Sequence, residues 1–446
     1  MNSRRTFLVS SLAAAGTRAV AKPKSPNDRI RVALVGLRGR GRDLIRSFHE
    51  VKSQNVEIAA FCDVDQSVMR QRSADFERDT GERPAVLNDM RRAMDDKSID
   101  AIAFATPNHW HALGTIWACQ AGKNVYCEKP GTHNCWEGLQ MRKAAEKYQR
   151  ILQHGTQNRS SEKIMEGIAK LKEGVIGRVY MARGITYKFH PPMRKAVTEP
   201  VPEGLDWDRW LGPAPIVPYE KRIQASSGGG WHLLWDYGCG DIGNQGVHEL
   251  DIIRWALDLK DHPSQAVSQG GPWVHDDDQP SPQVQAMMFT WPGRHVLVSF
   301  ETRGGWTNTE AGMGAEFPFL DHQNVVGVIF IGTEGYMILP DYTSYYTFLG
   351  KKRTPGPKGV GSGLIETTPH VANFIAAVRS RRSSDLTAPP EELHKSSALA
   401  HFANISYRIG RAVYFDPVSN TFRNDPEATA LLRRKYRAPY VVPENV

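Results

Sequence analysis

Ile30-Arg31-Val32-Ala33-Leu34-Val35-Gly36-Leu37-Arg38-Gly39-Arg40-Gly41 decides the fold. A short apolar strand runs into a glycine turn, and Asp43 to Phe48 continues with helical spacing, the order that opens a dinucleotide-binding unit. The full fingerprint sets glycines at 36, 38 and 41, and here Arg38 fills the second slot. Context compensates. Val56 to Phe61 is a second apolar strand, and Asp63 follows it, where a carboxylate accepts hydrogen bonds from ribose hydroxyls. Backbone N–H groups at the helix start would hold a pyrophosphate. Gly36, Arg38, Gly39, Arg40, Gly41 and Asp63 are therefore the first cofactor candidates. Asp63 favours NAD because a carboxylate repels a 2′-phosphate, while Arg38, Arg40 and Arg42 leave NADP as the alternative.

Outward from that turn, Ile99 to Ala105 is an apolar strand closed by Thr106-Pro107, and Asn124 to Cys127 is another, closed by Glu128-Lys129-Pro130. Helical spacing at Ala112 to Ala121 and Glu137 to Tyr148 lies between and after them. Strands apolar on both faces that alternate with helices mean a covered parallel sheet, an α/β Rossmann domain over residues 30–152. From Gly177 the pattern changes to period-two alternation: Arg178 to Phe189, Gln283 to Thr290, His295 to Thr302, Val325 to Ile331 and Tyr336 to Leu339. Residues 153–415 are expected to form an α+β domain with an open-faced, mainly antiparallel sheet, whose exposed face points to a homo-oligomer, and residues 416–446 a carboxyl-terminal extension. Pro369 to Arg379 and Ser396 to Val413 read as helices, and Met193 to Gly230 as a long surface excursion.

Composition limits the alternatives. At 40% hydrophobic and 23% charged, no stretch approaches the roughly 18 apolar residues of a membrane span. The amino terminus pairs Arg4-Arg5 with a weakly apolar stretch and Ala19-Val20-Ala21, the order of a twin-arginine export signal over residues 1–21, followed by a polar linker over 22–29. That route carries folded proteins, so the export machinery is an expected partner, the destination is periplasmic or extracellular, and a cofactor can travel already bound. The charge of +8 falls to about +5 without the signal's three arginines, too little for a nucleic-acid partner without a dense basic run. Five cysteines without a C-x-x-C pair argue against a metal site and a complete disulfide framework.

Ligands bind such sheets at the carboxyl ends of the strands. Thr106, Pro107, Asn108 and His111 lie there, as do Glu128, Lys129 and Pro130, and a lysine at that edge can polarise an alcohol or carbonyl oxygen during hydride transfer. Trp207, Trp210, Trp231 and Trp235 crowd one segment; aromatic faces suit the C–H faces of sugars, although they equally anchor irregular loops. His232, Asp236 and Tyr237 adjoin them, and Gln157, Arg159 and Arg183 are further polar candidates near the domain junction.

Glu128-Lys129-Pro130, the Thr106-Pro107-Asn108-His109 turn and Gly246-Val247-His248-Glu249-Leu250-Asp251 together resemble the glucose-fructose oxidoreductase, inositol dehydrogenase and rhizopine-catabolism family, over residues 30 to 415. The resemblance implies a Rossmann domain followed by an open-faced sheet. It implies hydride exchange between a tightly bound nicotinamide and a secondary alcohol of a sugar, cyclitol or glycoside. It makes Lys129 a catalytic lysine and His248 a general acid/base. The family's aspartate four residues before that histidine is Asn244 here. An amide orients a hydroxyl but does not take its proton, so the base role moves towards His248. On a regular helix Asp241, Asn244, Gln245 and His248 would share one face. Some related families instead hydrolyse glycosides by transient oxidation at C3, and a sugar-binding protein without turnover is the third reading.

Overall fold

The computed structural model describes residues 29–189, 191–224, 230–306 and 324–446; the expected signal and linker lie outside them. β1 (Ile30–Val35), β2 (Val56–Cys62), β3 (Ala85–Leu87), β4 (Ala101–Phe104), β5 (Asn124–Glu128) and β6 (Leu152–Gly155) form a parallel sheet in the order β3-β2-β1-β4-β5-β6. Chain progression reverses between β1 and β4, which opens a crevice at their carboxyl ends. The connections are α1 (Gly39–Glu50), α2 (Gln66–Thr80), α3 (Met90–Asp95), α4 (Asn108–Gln120) and α5 (Cys135–Lys147).

The second sheet has ten strands: β7 (Val179–Lys188), β8 (Gln265–Gly271), β9 (Val284–Thr290), β10 (Leu297–Arg303), β11 (Asn324–Gly332), β12 (Gly335–Leu339), β13 (Tyr345–Leu349), β14 (Thr354–Gly359), β15 (Val413–Asp416) and β16 (Thr421–Phe422). Their order is β14-β13-β12-β11-β7-β10-β9-β8-β15-β16, and only the β7–β10 pair is parallel among the described strands. Helices α6 (Glu162–Lys172), α7 (Trp207–Leu211), α8 (Val247–Ala256), α9 (Thr368–Ser380) and α10 (Pro390–Ile409) complete the domain. Ile164 and Ile168 of α6, Leu250 and Ile253 of α8 and Leu399 and Phe402 of α10 pack on the sheet's inner face with Phe289, Phe300 and Phe330. α10 starts six residues before the sequence suggests, because Pro390 fixes the first helical φ and Glu391 and Glu392 meet the positive end of the dipole.

Domain and packing boundaries differ. α9 places Val371, Phe374 and Ile375 against Leu44 and Phe48 of α1, so a helix from the second half of the sequence covers one face of the first sheet. The Met193 excursion builds its own small core, with Trp207 stacked on Trp210 at 4.8 Å and Leu233, Leu234 and Tyr237 around them. It docks on the Rossmann domain through Asp206 N–H to the Val64 carbonyl and Gln66 N–H to the Gly204 carbonyl, both 3.0 Å.

Candidate active site

The glycine turn is shaped by what its side chains must not be. Gly36 takes φ +83°, and a Cβ there would meet the Ala105 carbonyl oxygen at 2.7 Å; one on Gly41 would meet the Gly36 oxygen at 1.9 Å. Gly39, at φ +24°, opens α1, whose first N–H groups have no side-chain cap and so suit an anionic group. Asp63 braces the turn: its Oδ2 accepts the Leu37 N–H at 2.8 Å and its Oδ1 the Asp65 N–H at 3.0 Å. Burial pushes its carboxyl up, and those N–H groups oppose the shift. Gly36 to Arg40, Asp63, Thr106 and Pro107 form one wall of a cleft of about 290 Å³; Trp210, Gln224, Trp231 and His232 form the other. A backbone cradle, an uncapped helix start and a carboxylate at the second strand end fit a dinucleotide. A larger trough, about 1160 Å³, lies at the opposite end of the strands among Arg29, Lys123 and Arg379 and contains none of these groups.

Two of the three arginines weighed as a phosphate clamp are neutralised. Arg38 Nη2 lies 2.5 Å from Asp65 Oδ2, and Arg40 Nε lies 2.8 Å from Glu128 Oε1. Glu128 thus fastens β5 to α1. His111 bridges the carbonyls of Pro130 (2.7 Å) and Thr106 (2.9 Å), so it braces the two strand-end loops and is not a direct cofactor ligand as expected. Asn108 is buried in the first turn of α4.

At the reaction end, Lys129 Nζ donates to the Asn244 carbonyl and lies 3.5 Å from Asn244 Oδ1. Burial, reinforced by the Lys188 and Arg40 charges and opposed by Glu128, brings its amine down to about 8. The shared face that a regular helix would give Asp241, Asn244, Gln245 and His248 does not form: Ile242–Gly246 is one widened π-type turn, and α8 begins only at Val247. The extra residue per turn separates neighbouring side chains. Asn244 meets Lys129, whereas Gln245 accepts from Lys188 Nζ and donates to the Tyr342 hydroxyl, which in turn donates to Glu249. Asp241 is buried near enough to hold up the charged form of Lys188. His248 is buried beside the Tyr342 ring, 5.3 Å between centroids, and its Nδ1 has no protein partner. Burial and the Lys129 and Arg40 charges hold its imidazole well below the ordinary range, so it is neutral. Gln157, on the turn after β6, is buried with Oε1 also unpartnered.

Lys188, Glu249 and Tyr342 escaped the sequence reading. Glu249 sits next to His248 in a run already singled out, and Lys188 ends a strand, but nothing around Tyr342 marks it. Burial raises Glu249 to about 7 against the Tyr342 hydrogen bond.

Four expected substrate contacts are elsewhere. Arg159 forms a two-pronged ion pair with Asp251 (2.7 and 2.9 Å) and a third contact to Glu392, a buried tie between α8, α10 and the turn after β6. Arg183 alternates onto the sheet's outer face and pairs with Glu301 at 2.6 Å. Trp235 lies under Arg408, its ring 5.5 Å from the guanidinium, and Tyr237 packs on His109 and Trp210. Trp207 and Trp210 mainly anchor the loop. Trp231 and His232 remain at the cleft. No cluster of metal-ligating side chains occurs among the described residues.

A parallel sheet with a glycine cradle, followed by a domain that delivers a helix to a buried lysine, defines a two-domain nucleotide-dependent oxidoreductase architecture. The profile of the oxidoreductase family's NAD-binding Rossmann fold matches residues 30–156, and that of its carboxyl-terminal alpha/beta domain matches 162–299 and 351–442; the chain belongs to the Gfo/Idh/MocA family. That match runs through most of the segment read as an extension. Levoglucosan dehydrogenase of Pseudarthrobacter phenanthrenivorans is 28% identical over 170 residues, 38% of this chain and 36% of that protein. A glycosyl hydrolase family 109 protein of Stenotrophomonas maltophilia is 31% identical over 137 residues, 28% of this chain and 29% of that one. These matches span about a third of the relatives' length. Among solved structures, a levoglucosan dehydrogenase complex with NADH and levoglucosan has TM-score 0.63 at 16% identity, covering 86% of this chain and 99% of that one. The WlbA dehydrogenase of Bordetella pertussis with NADH and UDP-GlcNAcA has TM-score 0.61 at 18% identity, covering 87% and 99%. Both likenesses are of fold.

Proposed function

We propose that the chain is an NAD-dependent oxidoreductase acting on a secondary alcohol of a sugar, cyclitol or glycoside. The observation that carries this reading is the buried Lys129 amine, lowered to about 8, at the strand end adjoining the glycine cradle. The nicotinamide, when bound, supplies the hydride acceptor. Lys129 takes the proton of the substrate hydroxyl on its neutral Nζ, because an amine near 8 is a better match to neutral pH than an imidazole held far below 6.5. His248, neutral, accepts a hydrogen bond at Nδ1 and orients the hydroxyl. Lys188 and Gln245 bind neighbouring hydroxyls, and Trp231 and His232 wall the cleft. The pairing of Arg38 with Asp65 and Arg40 with Glu128 supports NAD over NADP.

The same constellation serves a second reading, glycoside cleavage through transient oxidation, which the family 109 names among the relatives favour. In that case the nucleotide is reoxidised within each cycle. Purified protein is denatured and the released nucleotide identified by mass and absorbance; separately, aryl glycosides are supplied without added NAD. Stoichiometric NAD with no phenol release supports the dehydrogenase, phenol release moves the glycosidase to the front, and the absence of any nucleotide-binding capacity sinks both.

The Arg4-Arg5 segment supports export, to be checked by fractionating cells that carry the native or an Arg4→Lys, Arg5→Lys chain. Met288 and Leu297 expose apolar side chains on the second sheet's outer face, which supports a homo-oligomer; sedimentation equilibrium tests it.

A further inference from the structure

We propose that the carboxyl-terminal segment from Leu431 to Val446 is a latch that holds residues 206–224 and 230–237 of the excursion against the cofactor cleft, so that Arg437, Tyr440 and Arg434 are positioning residues that set how long the nucleotide stays bound. The proposal rests on the reading of the cleft as the dinucleotide site.

One wall of that cleft is Rossmann backbone, fixed by its sheet, and the other is the excursion, which supplies Arg209, Trp210, Gln224, Trp231 and His232. Movement of the second wall widens the path by which a nucleotide between the two walls leaves. That wall is anchored on the Rossmann side by more than the Val64 and Gln66 contacts: Trp110 Nε1 donates to the carbonyls of Arg209 (3.0 Å) and Trp210 (3.1 Å), His109 meets the Trp210 carbonyl at 3.0 Å and its backbone N–H donates to the Tyr237 carbonyl at 3.3 Å, His133 Nε2 lies 2.9 Å from the Trp235 carbonyl, and Arg209 pairs with Asp89 at 3.7 Å. The chain's end adds a second set. Arg437 spreads one guanidinium over the end of α7, with Nε to the Gly212 carbonyl (2.9 Å) and Ala214 carbonyl (3.2 Å), Nη1 to Asp208 Oδ1 (2.6 Å) and Nη2 to the Asp208 carbonyl (2.8 Å). The Gly212 and Ala214 carbonyls lie just past α7, and the Asp208 carbonyl also accepts the Gly212 N–H at 2.9 Å, so one guanidinium joins both ends of this turn. Tyr440 sets its ring edge-on to Trp110 at 5.4 Å, and Arg434 reaches the Asp236 carbonyl at 2.7 Å, at the far end of the excursion.

The latch is itself tethered to the Rossmann domain. The Tyr436 hydroxyl donates to Glu137 Oε1 (3.0 Å), Gln140 Nε2 donates to the carbonyls of Pro443 (3.0 Å) and Glu444 (2.7 Å), and Val442 is fully buried. Both ends of the excursion, α7 and Asp236, are therefore tied through the tail to α4 and α5, the helices beside the strands that present the cofactor residues. Gly212 brings the excursion so close to Trp110 that a Cβ would lie 2.2 Å from the indole, which leaves no slack between the wall and α4, on whose Trp110 the latch's Tyr440 also packs.

The measurement is the dissociation rate of bound NADH, followed by its fluorescence after dilution into excess non-fluorescent NAD, on the full chain. Arg437→Ala is expected to speed release by about tenfold or more, in line with loss of several charge-assisted hydrogen bonds. Asp208→Asn, at an exposed carboxylate and so safe for folding, is expected to speed it by about threefold, and Arg437→Lys to fall between wild type and Arg437→Ala because an ammonium cannot span four acceptors. Arg183→Ala, on the outer sheet face, is the control and leaves the rate unchanged. Release within about twofold of wild type in both Arg437→Ala and Asp208→Asn overturns the latch, even if the melting temperature falls. If Arg437→Ala fails to fold, Asp208→Asn alone decides. Wild-type protein that takes up no NADH overturns the cofactor reading itself, a result distinct from uptake with an unchanged rate.

Discussion

The two ends of the crevice are built from different material. At the pyrophosphate end the specificity is backbone: Gly36 and Gly41 permit contacts that a single methyl group would block, and α1 offers N–H groups. At the reaction end it is side chains, Lys129, Lys188, Gln245, His248 and Tyr342, contributed by four separate stretches of chain; Lys188, Gln245 and Tyr342 hold one another, and Lys129 is held by the Asn244 carbonyl. The first end fails all at once when its shape is altered, while the second degrades function and leaves the scaffold standing.

Substitutions at the two ends should separate those behaviours. Gly41→Ala puts a Cβ 1.9 Å from a backbone oxygen that cannot retreat, so nucleotide binding should be lost and stability fall by about 3 kcal/mol or more, measured by calorimetric NAD titration and denaturant unfolding. Lys129→Met should lower kcat by about 10²- to 10⁴-fold while NADH affinity stays within about threefold; equal losses in both would merge the two ends into one. In the wild type, kcat/KM for alcohol oxidation should climb with pH and level off above about 8, as the Lys129 amine loses its proton, and this limb should vanish in the methionine variant.

A subtler effect concerns the packing behind both ends. His109 and His154 are held down to about 3, and His370 and His401 to about 4, by burial. Between those values and the ordinary 6.5 the unfolded chain binds more protons than the folded one, so stability is complete above about 6.5 and drains away as pH falls. The melting temperature should therefore decline steadily from pH 7 to pH 5; a flat profile would mean that these imidazoles reach water. Smallest of all, Arg183→Ala breaks a partly exposed pair with Glu301 and should change stability by less than about 1 kcal/mol and turnover by less than about twofold.

What was legible in the sequence follows the same division. The Rossmann half could be read because local rules, apolar strands, glycines and Asp63, carry nearly all of its information, and even the imperfect glycine spacing mattered little once strand and helix flanked it. Five of the second sheet's alternating strands were visible, but β8, β13, β14, β15 and β16 were not: the first three are interrupted by glycine or proline or lack a clean alternation, and the last two are only four and two residues long. Arg159 and Arg183 were misplaced because a polar residue near a domain junction looks the same whether it faces a ligand or a carboxylate elsewhere in the fold. Tyr342 could not be found at all, since its role depends on a contact with Gln245, 97 residues away.

The widened turn at Ile242–Gly246 has an evolutionary meaning. The lysine is hitched there to a main-chain oxygen, and every amino acid carries one. Exchange between aspartate and asparagine at position 244 alters the charge beside the reacting atoms yet leaves the hitch in place. Proton chemistry beside Lys129 is therefore open to retuning by a single codon change at position 244, with the lysine's tether untouched.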